Sequence, residues 1–257
     1  MFRVISINLN GIRAADRKGF FPWMRRQKAD VICMQEVRAE PDQLDRRLSH
    51  PRGYHAKFFC AEKRGYSGVA IYSKHEPDRI IEGWGIPDYD REGRYLQYDF
   101  GNLSVASVYL PSGSSGDERQ AFKERLMKRL KPRLKRMRES GRQYILCGDF
   151  NIAHTQADIE NWRGNQKNSG FLPQEREWVG ALLRSGWVDA FRVARPEPKL
   201  YSWWSNRGRA RENNVGWRID YQLCTPDLGA RVVAADIYKR RFFSDHAPVR
   251  IDYDIPP

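Results

Sequence analysis

The sequence has 257 residues, of which 40% are hydrophobic and 12% aromatic, a content that excludes a disordered chain. Lysine and arginine number 45 against 32 acidic residues, and the resulting charge of +13 favours polyanionic partners, nucleic acid before an acidic membrane surface. No apolar run approaches the ~20 residues of a membrane span, so we expect no membrane partner.

The cysteines and the amino terminus indicate a cellular compartment. Cys33, Cys60, Cys147 and Cys224 form no C-x-x-C pair, and we expect all four to be reduced. The opening stretch MFRVISINLN lacks the basic and long apolar regions of a secretory signal. These features predict a cytoplasmic protein.

Short apolar runs bounded by Gly, Pro, Asn or Asp predict strands along the whole chain. In chain order they are Phe2–Asn8, Val31–Met34, Gly68–Ser73, Tyr95–Phe100, Leu103–Leu110, Tyr144–Gly148, Trp217–Cys224, Arg231–Ile237 and Val249–Asp254.

Helices are predicted at residues 17–28, 42–49, 117–139 and 173–185. Pro173 suits the first turn of the last helix, and Pro132 is expected to kink the third, whose outer face is strongly basic. The alternation of strands and helices, without a linker-like break, predicts one α/β domain over residues 1–257.

Polar side chains recur where predicted strands end. In GDFN, residues 148–151, Asp149 and Asn151 lie two positions apart and therefore share a face of an extended chain. Each such residue alone is typical of a turn, a cap or a local ion pair. Together they indicate a ligand site, because strand ends at one edge of an α/β sheet are where such sites form. The other members are Asn8, Asn10, Glu36, Tyr109, Asp220, Asp245 and His246.

These side chains indicate a chemistry. Carboxylate and amide oxygens without thiolates suit Mg²⁺ or Mn²⁺ rather than zinc. Asp245 and His246 are neighbours and would point to opposite faces of a strand, so Asp220 is the candidate to orient the imidazole. A carboxylate–imidazole pair beside a metal fits phosphodiester hydrolysis.

The motifs carry a family resemblance over nearly the whole chain. They are SINLNGIR, DVICMQE, GYSGVAIYS, DREGR, YLPSG, GDFNIAH, GFLPQEREW, NVGWRIDY and SDHAPV. In this order they resemble the exonuclease III family of abasic-site (AP) endonucleases, within the DNase I-like endonuclease/exonuclease/phosphatase superfamily. The resemblance implies a four-layer α/β sandwich, in which two packed mixed β-sheets are flanked by helices.

The same resemblance implies an activity and its reagents. The chain would be a Mg²⁺-dependent DNA-repair phosphodiesterase, with Mn²⁺ as a substitute metal, that incises the backbone 5′ to abasic sites. Trimming of 3′ ends, 3′-phosphatase and 3′→5′ exonuclease activities would accompany incision in an unknown balance. The expected partner is double-stranded DNA with abasic sites or blocked 3′ ends, bound by a monomer.

The resemblance also assigns roles to the polar residues. It places the principal metal at Glu36, with Asn8 and Asp245 nearby. The implied catalytic residues are Tyr109, Asp149, Asn151, Asp220 and His246. Whether Asp149 or His246 is the general base stays open, as does the number of metals. A second metal would use Asp149, Asn151 and His246.

Substrate contacts are implied in the loop 201–217. Trp203 and Trp217 would wall a pocket for an extruded abasic sugar, Arg207 would insert into the duplex, and Trp204 would be core. The further predicted substrate contacts are Asn10, Tyr66, Arg94 and Ser112. Ser112 stands where an asparagine is common in the family, and Arg38 where a lysine often follows the metal glutamate.

Two other functions fit parts of the sequence. A nucleic-acid-binding regulator on the same scaffold would lack some of the catalytic residues, and this chain keeps Glu36, Asp149, Asn151 and His246. Another phosphoesterase of the superfamily would share the metal and Asp-His motifs. The net charge of +13 and the tryptophan-bearing loop favour long DNA over such small substrates.

Overall fold

The computed structural model describes residues 1–256, which form fourteen strands and nine α-helices. The strands are β1 (Phe2–Asn8), β2 (Val31–Gln35), β3 (His55–Phe59), β4 (Val69–Ser73), β5 (Arg79–Glu82), β6 (Tyr95–Phe100), β7 (Leu103–Tyr109), β8 (Gln143–Asp149), β9 (Val188–Asp189), β10 (Trp203–Trp204), β11 (Gly216–Trp217), β12 (Asp220–Cys224), β13 (Val232–Ile237) and β14 (Val249–Tyr253).

The α-helices of this part of the chain are mostly short. They are α1 (Ile12–Arg17), α2 (Phe20–Arg26), α3 (Arg46–Ser49), α4 (Pro87–Asp90), α5 (Asp117–Glu139), α6 (Trp162–Asn165), α7 (Pro173–Arg184), α8 (Ala190–Ala194) and α9 (Pro226–Gly229). Two 3₁₀ turns cover Pro41–Gln43 and Gln156–Asp158. Among residues 1–256, no helix has the length and apolar character that crossing a bilayer requires.

Most strands belong to two six-stranded sheets. The first sheet has the order β13-β14-β1-β2-β4-β3 and the second β5-β6-β7-β8-β12-β9. Each contains one parallel pair, β1 with β2 and β7 with β8, among antiparallel neighbours. Both sheets are therefore mixed, as the resemblance implies.

Apolar side chains bury both faces of each sheet. The inner faces share one core, in which Val4 and Ile71 of the first sheet pack with Val105 and Ile145 of the second. Helices α1 and α2 cover the outer face of the first sheet, and α5 and α7 cover the outer face of the second. The expected four-layer sandwich is confirmed.

The predicted elements differ from the observed ones at particular places. The strand expected over Trp217–Cys224 is two strands, because Arg218 leaves the ladder to bind two buried carboxylates, those of Asp158 and Asp189. The helix expected at 17–28 is two helices separated at Gly19, whose φ is 83°. Helix α5 has the predicted bounds and continues through Pro132.

The sheet topology collects the polar residues. In the first sheet, Asn8 ends β1 beside Gln35 at the end of β2, and Glu36 follows directly. In the second, Tyr109 ends β7 beside Asp149 at the end of β8, and antiparallel β12 begins with Asp220 opposite Asp149. The strand ends of both sheets thus meet at one end of the sandwich.

Candidate active site

A cleft of about 1010 Å³ lies at this end of the sandwich. Its walls come from both sheets and from the loops around residues 112–120, 165–172 and 203–207. The lining includes most residues that the sequence analysis predicts: Asn10, Glu36, Tyr109, Ser112, Asp149, Asn151, Trp203, Arg207, Trp217, Asp245 and His246.

Glu36 is held at the cleft by donors from both sheets. Its Oε1 atom accepts hydrogen bonds from Asn8 Nδ2 at 2.8 Å and from the Tyr109 hydroxyl at 2.7 Å. Its other oxygen pairs with Arg38 at the rim. The φ angle of Glu36 is +48°, a left-handed value that turns the chain sharply after β2.

The amide of Asn8 joins two carboxylates. Its Nδ2 donates to Glu36 at 2.8 Å and to Asp149 at 3.0 Å, while its Oδ1 accepts from the main-chain N–H of Asn10 at 2.9 Å. A main-chain N–H can only donate, so this orientation of the amide is fixed by its partners. Asn8 therefore spaces the carboxylates of the two sheets.

Asp149 is buried at the centre of the site. Its Oδ1 accepts from the Asn151 N–H at 2.8 Å, and its Oδ2 accepts from Asn151 Nδ2 at 3.2 Å. Burial, partly offset by His246, raises the pKa of Asp149 to about 7. Asn151 Nδ2 also donates to Leu110 O at 2.9 Å, so both its N–H bonds are in use. A hydrogen bond from this amide to a substrate phosphate would therefore have to displace one of these acceptors.

His246 lies between two carboxylates. Its Nδ1 is 2.9 Å from Asp220 Oδ2, and its Nε2 is 3.8 Å from Asp149 Oδ2. Asp220 also accepts from the Ser202 hydroxyl at 2.6 Å. Burial acts to lower the pKa of His246, but Asp220 and Asp149 raise it to about 10. The structure thus brings together the Asp220–His246 pair that the sequence predicts.

Asp245 lies beside His246 and contacts other groups. Its Oδ1 accepts from Asn10 Nδ2 at 2.9 Å and its Oδ2 from Trp203 Nε1 at 3.0 Å. Burial acts to raise the pKa of Asp245, but His246 and these hydrogen bonds lower it. Asp245 therefore links the carboxylate cluster to the tryptophan wall.

The tryptophan wall consists of Trp203 and Trp217, which meet edge to face with ring centroids 6.0 Å apart. Both rings line the cleft, as expected, and Trp204 is buried in the core, also as expected. Ile219 belongs to the apolar cluster against which both rings pack, and it also lines the cleft. Arg207 is exposed on the adjacent loop at the mouth of the cleft.

Two predicted phosphate contacts lie elsewhere. Arg94 is 1% exposed, donates to the Tyr109 carbonyl at 3.1 Å and stacks 4.5 Å from the Tyr109 ring centroid. Its salt bridge to Glu92 at 2.6 Å holds it there, and Arg94 is not among the residues lining the cleft, so the structure does not place it against a substrate. Tyr66 accepts from Arg94 and Arg119 and is not among the residues lining the cleft.

Lys123 and Glu175 are relevant residues that the sequence analysis misses. They form an ion pair with fully buried side chains beneath the cleft, and Lys123 Nζ donates to the Asn151 carbonyl at 2.7 Å. The only sequence signal is an out-of-place charge, since Lys123 falls between Gln120 and Leu126 on the inward side of α5.

The donor set fits a hard divalent cation. The side-chain oxygens of Glu36, Asp149, Asn151 and Asp245 line one cleft, and no thiol of the described residues reaches it. Asp149, Asp220 and His246 place ligand atoms within 4.8 Å of one another. Asp220, however, is engaged by His246 Nδ1 and by Ser202. Asp220 also does not line the cleft, so the carboxylates of Glu36, Asp149 and Asp245 are the ones that face a cation there.

Comparisons with known proteins agree with this geometry. The model of the endonuclease/exonuclease/phosphatase family matches residues 5–246. An exodeoxyribonuclease of Bacillus subtilis is 38% identical over 98% of this chain and all of its own length. The DNA repair nuclease APEX1 of Danio rerio is 32% identical over 97% of this chain and 81% of its own length. The structure of an AP endonuclease from Archaeoglobus fulgidus superposes with a TM-score of 0.87 at 29% identity, covering 99% of this chain and 100% of that one.

Proposed function

The chain belongs to the endonuclease/exonuclease/phosphatase family, among its exonuclease III-type DNA repair nucleases, and we propose that it is a Mg²⁺-dependent AP endonuclease. Its substrate would be duplex DNA with an abasic site, incised on the 5′ side of the lesion. The proposal includes removal of blocked 3′ ends as a further activity, and a cytoplasmic monomer as the working form.

One observation carries the proposal: a phosphodiesterase-type cluster and an apolar aromatic wall share a single cleft. The cluster supplies carboxylates and an oriented imidazole, which suit a phosphate. The wall supplies two tryptophan rings 6.0 Å apart, which suit a sugar without a base. A nucleotide without its base is also cheap to extrude from a duplex.

The reaction adds water to phosphorus and breaks the bond from phosphorus to the 3′ oxygen. Asp149, whose carboxylate faces the cleft, would orient and deprotonate the attacking water. His246, fixed through Nδ1 by Asp220, would present Nε2 to the phosphate and stabilise the charge that develops there. Tyr109, held by Glu36, would lie near the leaving oxygen.

Glu36 is the principal candidate for holding Mg²⁺, with Asn8 and Asp245 nearby. A bound Mg²⁺ would polarise the phosphate oxygens and neutralise charge on them. Because Arg38 and Tyr109 already donate to Glu36, the chain holds this carboxylate in place at the cleft. The hard oxygen ligands favour Mg²⁺ or Mn²⁺ over zinc.

The net charge of +13 supports DNA as the polyanion. Phosphate contacts by Lys and Arg release counterions, so affinity for duplex DNA should fall steeply as salt rises. Arg207 is an exposed cation at the cleft mouth, four residues after Trp203. It would enter the duplex beside the extruded sugar.

The experiment uses a duplex labelled at one 5′ end with one tetrahydrofuran abasic analogue, incubated with the protein and Mg²⁺. We expect one product that ends in a 3′ hydroxyl directly 5′ to the analogue. Excess EDTA should abolish it, and the matched undamaged duplex should stay uncut at that position. Binding of the lesion duplex without incision in Mg²⁺ and in Mn²⁺ would contradict the proposal.

A further inference from the structure

The buried pair of Lys123 and Glu175 joins three segments at the base of the cleft. Both side chains are 0% exposed, and Lys123 Nζ lies 2.5 Å from Glu175 Oε1. Lys123 comes from α5, while Glu175 comes from the first turn of α7. Burial lowers the pKa of Lys123, and Glu175 partly offsets the effect.

Lys123 also contacts the main chain just after β8, the strand that ends in Asp149. Its Nζ donates to the main-chain carbonyl of Asn151 at 2.7 Å. Asn151 has a φ of +52°, in the left-handed region that asparagine adopts more readily than most residues. From that backbone, Asn151 donates twice to Asp149, from its main-chain N–H at 2.8 Å and from Nδ2 at 3.2 Å. Lys123 thus acts on Asp149 through one intervening residue.

The glutamate reaches the wall of the sugar pocket. Its Oε2 accepts from the N–H groups of Gly170 at 2.6 Å and Leu172 at 3.1 Å. Gly170 backs the ring of Trp217 so closely that a side-chain carbon there would lie 3.0 Å from the ring. The Gly170 carbonyl in turn accepts from Ala153 at 2.8 Å. One ion pair therefore connects the loop after β8, which contains Asn151, to the loop at Gly170–Leu172 behind Trp217.

Stability alone is a poor reason for this pair. Removing two charges from water costs several kcal/mol, and replacing a buried ion pair by uncharged side chains of similar volume is often neutral or stabilising. Retaining a charged pair makes sense where the position of its partners matters. Here those partners are the main chain of the catalytic loop and the main chain behind the pocket.

We propose that Lys123 is a positioning residue for the hydrolytic step: by holding the Asn151 carbonyl, Lys123 fixes the position of Asp149. Glu175, its partner in the ion pair, fixes the loop at Gly170–Leu172 behind Trp217. The proposal rests on the proposed function, since Asp149 is its working group. Lys123 touches no substrate, and its effect is on the geometry of the residues that do.

The test separates positioning from stability with two variants. Lys123→Met leaves Glu175 charged and buried without its partner, so it should destabilise the fold strongly. Lys123→Met/Glu175→Gln removes both charges, and the new amide oxygen can still accept from Gly170 and Leu172. We expect the double variant to regain most of the lost thermal stability yet keep a kcat on abasic duplex lowered by about 10- to 100-fold, with KM within about threefold.

A partly buried pair elsewhere controls for loss of an ion pair whose cation also bonds a main-chain carbonyl. Arg3 bonds Asp252 at 2.7 Å and donates to the Gln27 carbonyl at 2.7 Å, at the opposite end of β1 from Asn8. Arg3→Met/Asp252→Asn therefore removes an ion pair and a bond to a main-chain carbonyl far from the cleft. Its kcat should equal that of the wild type, whatever its melting temperature.

A readout without catalysis keeps the inference distinct from the proposed function. Amide hydrogen exchange should accelerate in residues 149–153 of the Lys123→Met/Glu175→Gln protein and stay unchanged in the strands of the first sheet. A double variant with wild-type stability, kcat and exchange would overturn the positioning role. A wild type that shows no incision, with exchange altered as expected in the variant, would overturn the proposed function alone.

Discussion

Asp220 and Asp149 are direct partners across β12 and β8, and His246 lies against both carboxylates. Asp220 takes the Nδ1 side of the ring at 2.9 Å, while Asp149 faces Nε2 at 3.8 Å. The antiparallel register thus places both carboxylates beside His246: Asp220 orients the ring, and Asp149 faces the cleft. The two aspartates have different roles, because only Asp149 lines the cleft.

Replacing Asp220 by Asn should lower turnover and spare DNA binding. The amide keeps the size of the side chain but loses the charge that orients and stabilises the imidazole. We expect kcat to fall by about 100-fold or more, with the Kd for an abasic-analogue duplex within about threefold of the wild type. Steady-state kinetics and fluorescence anisotropy measure the two quantities. A wild-type kcat in Asp220→Asn would remove the pair from the reaction.

Replacing Glu36 by Ala should weaken the binding of the Mg²⁺ that the reaction requires. The variant loses the carboxylate that Asn8 and Tyr109 hold at the cleft, so half-maximal activity should need at least about tenfold more Mg²⁺. A Mg²⁺ titration of incision rate measures the shift. Glu62→Ala, which changes an exposed carboxylate, is the control. Identical titration curves for Glu36→Ala and the wild type would exclude Glu36 from the metal site.

Much of the candidate site can be predicted from the polar residues at the ends of the apolar runs. Asn8, Glu36, Tyr109 and Asp149 each stand at the end of an apolar run, and the parallel pairs β1–β2 and β7–β8 bring those ends together. The run pattern does not say which strands are neighbours. The order of the motifs along the chain indicates the family, and the fold of that family predicts which strands are neighbours.

The charged residues beneath the site are harder to predict. Arg94 and Lys123 carry the residue types of a DNA-binding surface, and both are buried because Glu92 and Glu175 meet them in the folded chain. Lys123 and Glu175 lie 52 residues apart on different helices, and Arg94, although only two residues from Glu92, is buried against Tyr109 of β7, so no local pattern encodes either position. The break in the strand at Arg218 has the same origin, since Asp158 comes from a 3₁₀ turn and Asp189 from β9.

Replacing Arg94 by Met should lower stability and leave DNA affinity nearly unchanged. The variant leaves Glu92 with only Arg119 as a cationic partner and removes the donor that holds the Tyr109 carbonyl. We expect the free energy of unfolding to fall by about 2 kcal/mol or more. Chemical denaturation measures this loss. DNA affinity should change little, because Arg94 does not line the cleft, and a large rise in Kd at unchanged stability would restore it as a phosphate contact.

Replacing Trp217 by Ala should reduce the preference for abasic sites. Removing one ring of the wall enlarges the pocket and lowers its fit to a bare sugar, so kcat/KM on abasic duplex should fall by about tenfold or more. Removal of a 3′ phosphate from a nicked duplex should fall less. Parallel assays of the two substrates measure the ratio. Trp162→Ala is the control variant, because Trp162 is a partly buried tryptophan that packs against the same apolar cluster as Trp203 and Trp217. An equal loss on both substrates would argue against a lesion pocket.

We propose that Asp149 activates the water that hydrolyses DNA at an abasic site. The most direct measurement is the single-turnover rate of incision of a tetrahydrofuran-containing duplex by Asp149→Ala, at protein concentrations that saturate the DNA in Mg²⁺. We predict a rate lowered by about 100-fold or more, with lesion binding retained. Incision at the wild-type rate by the Asp149→Ala protein would contradict the claim.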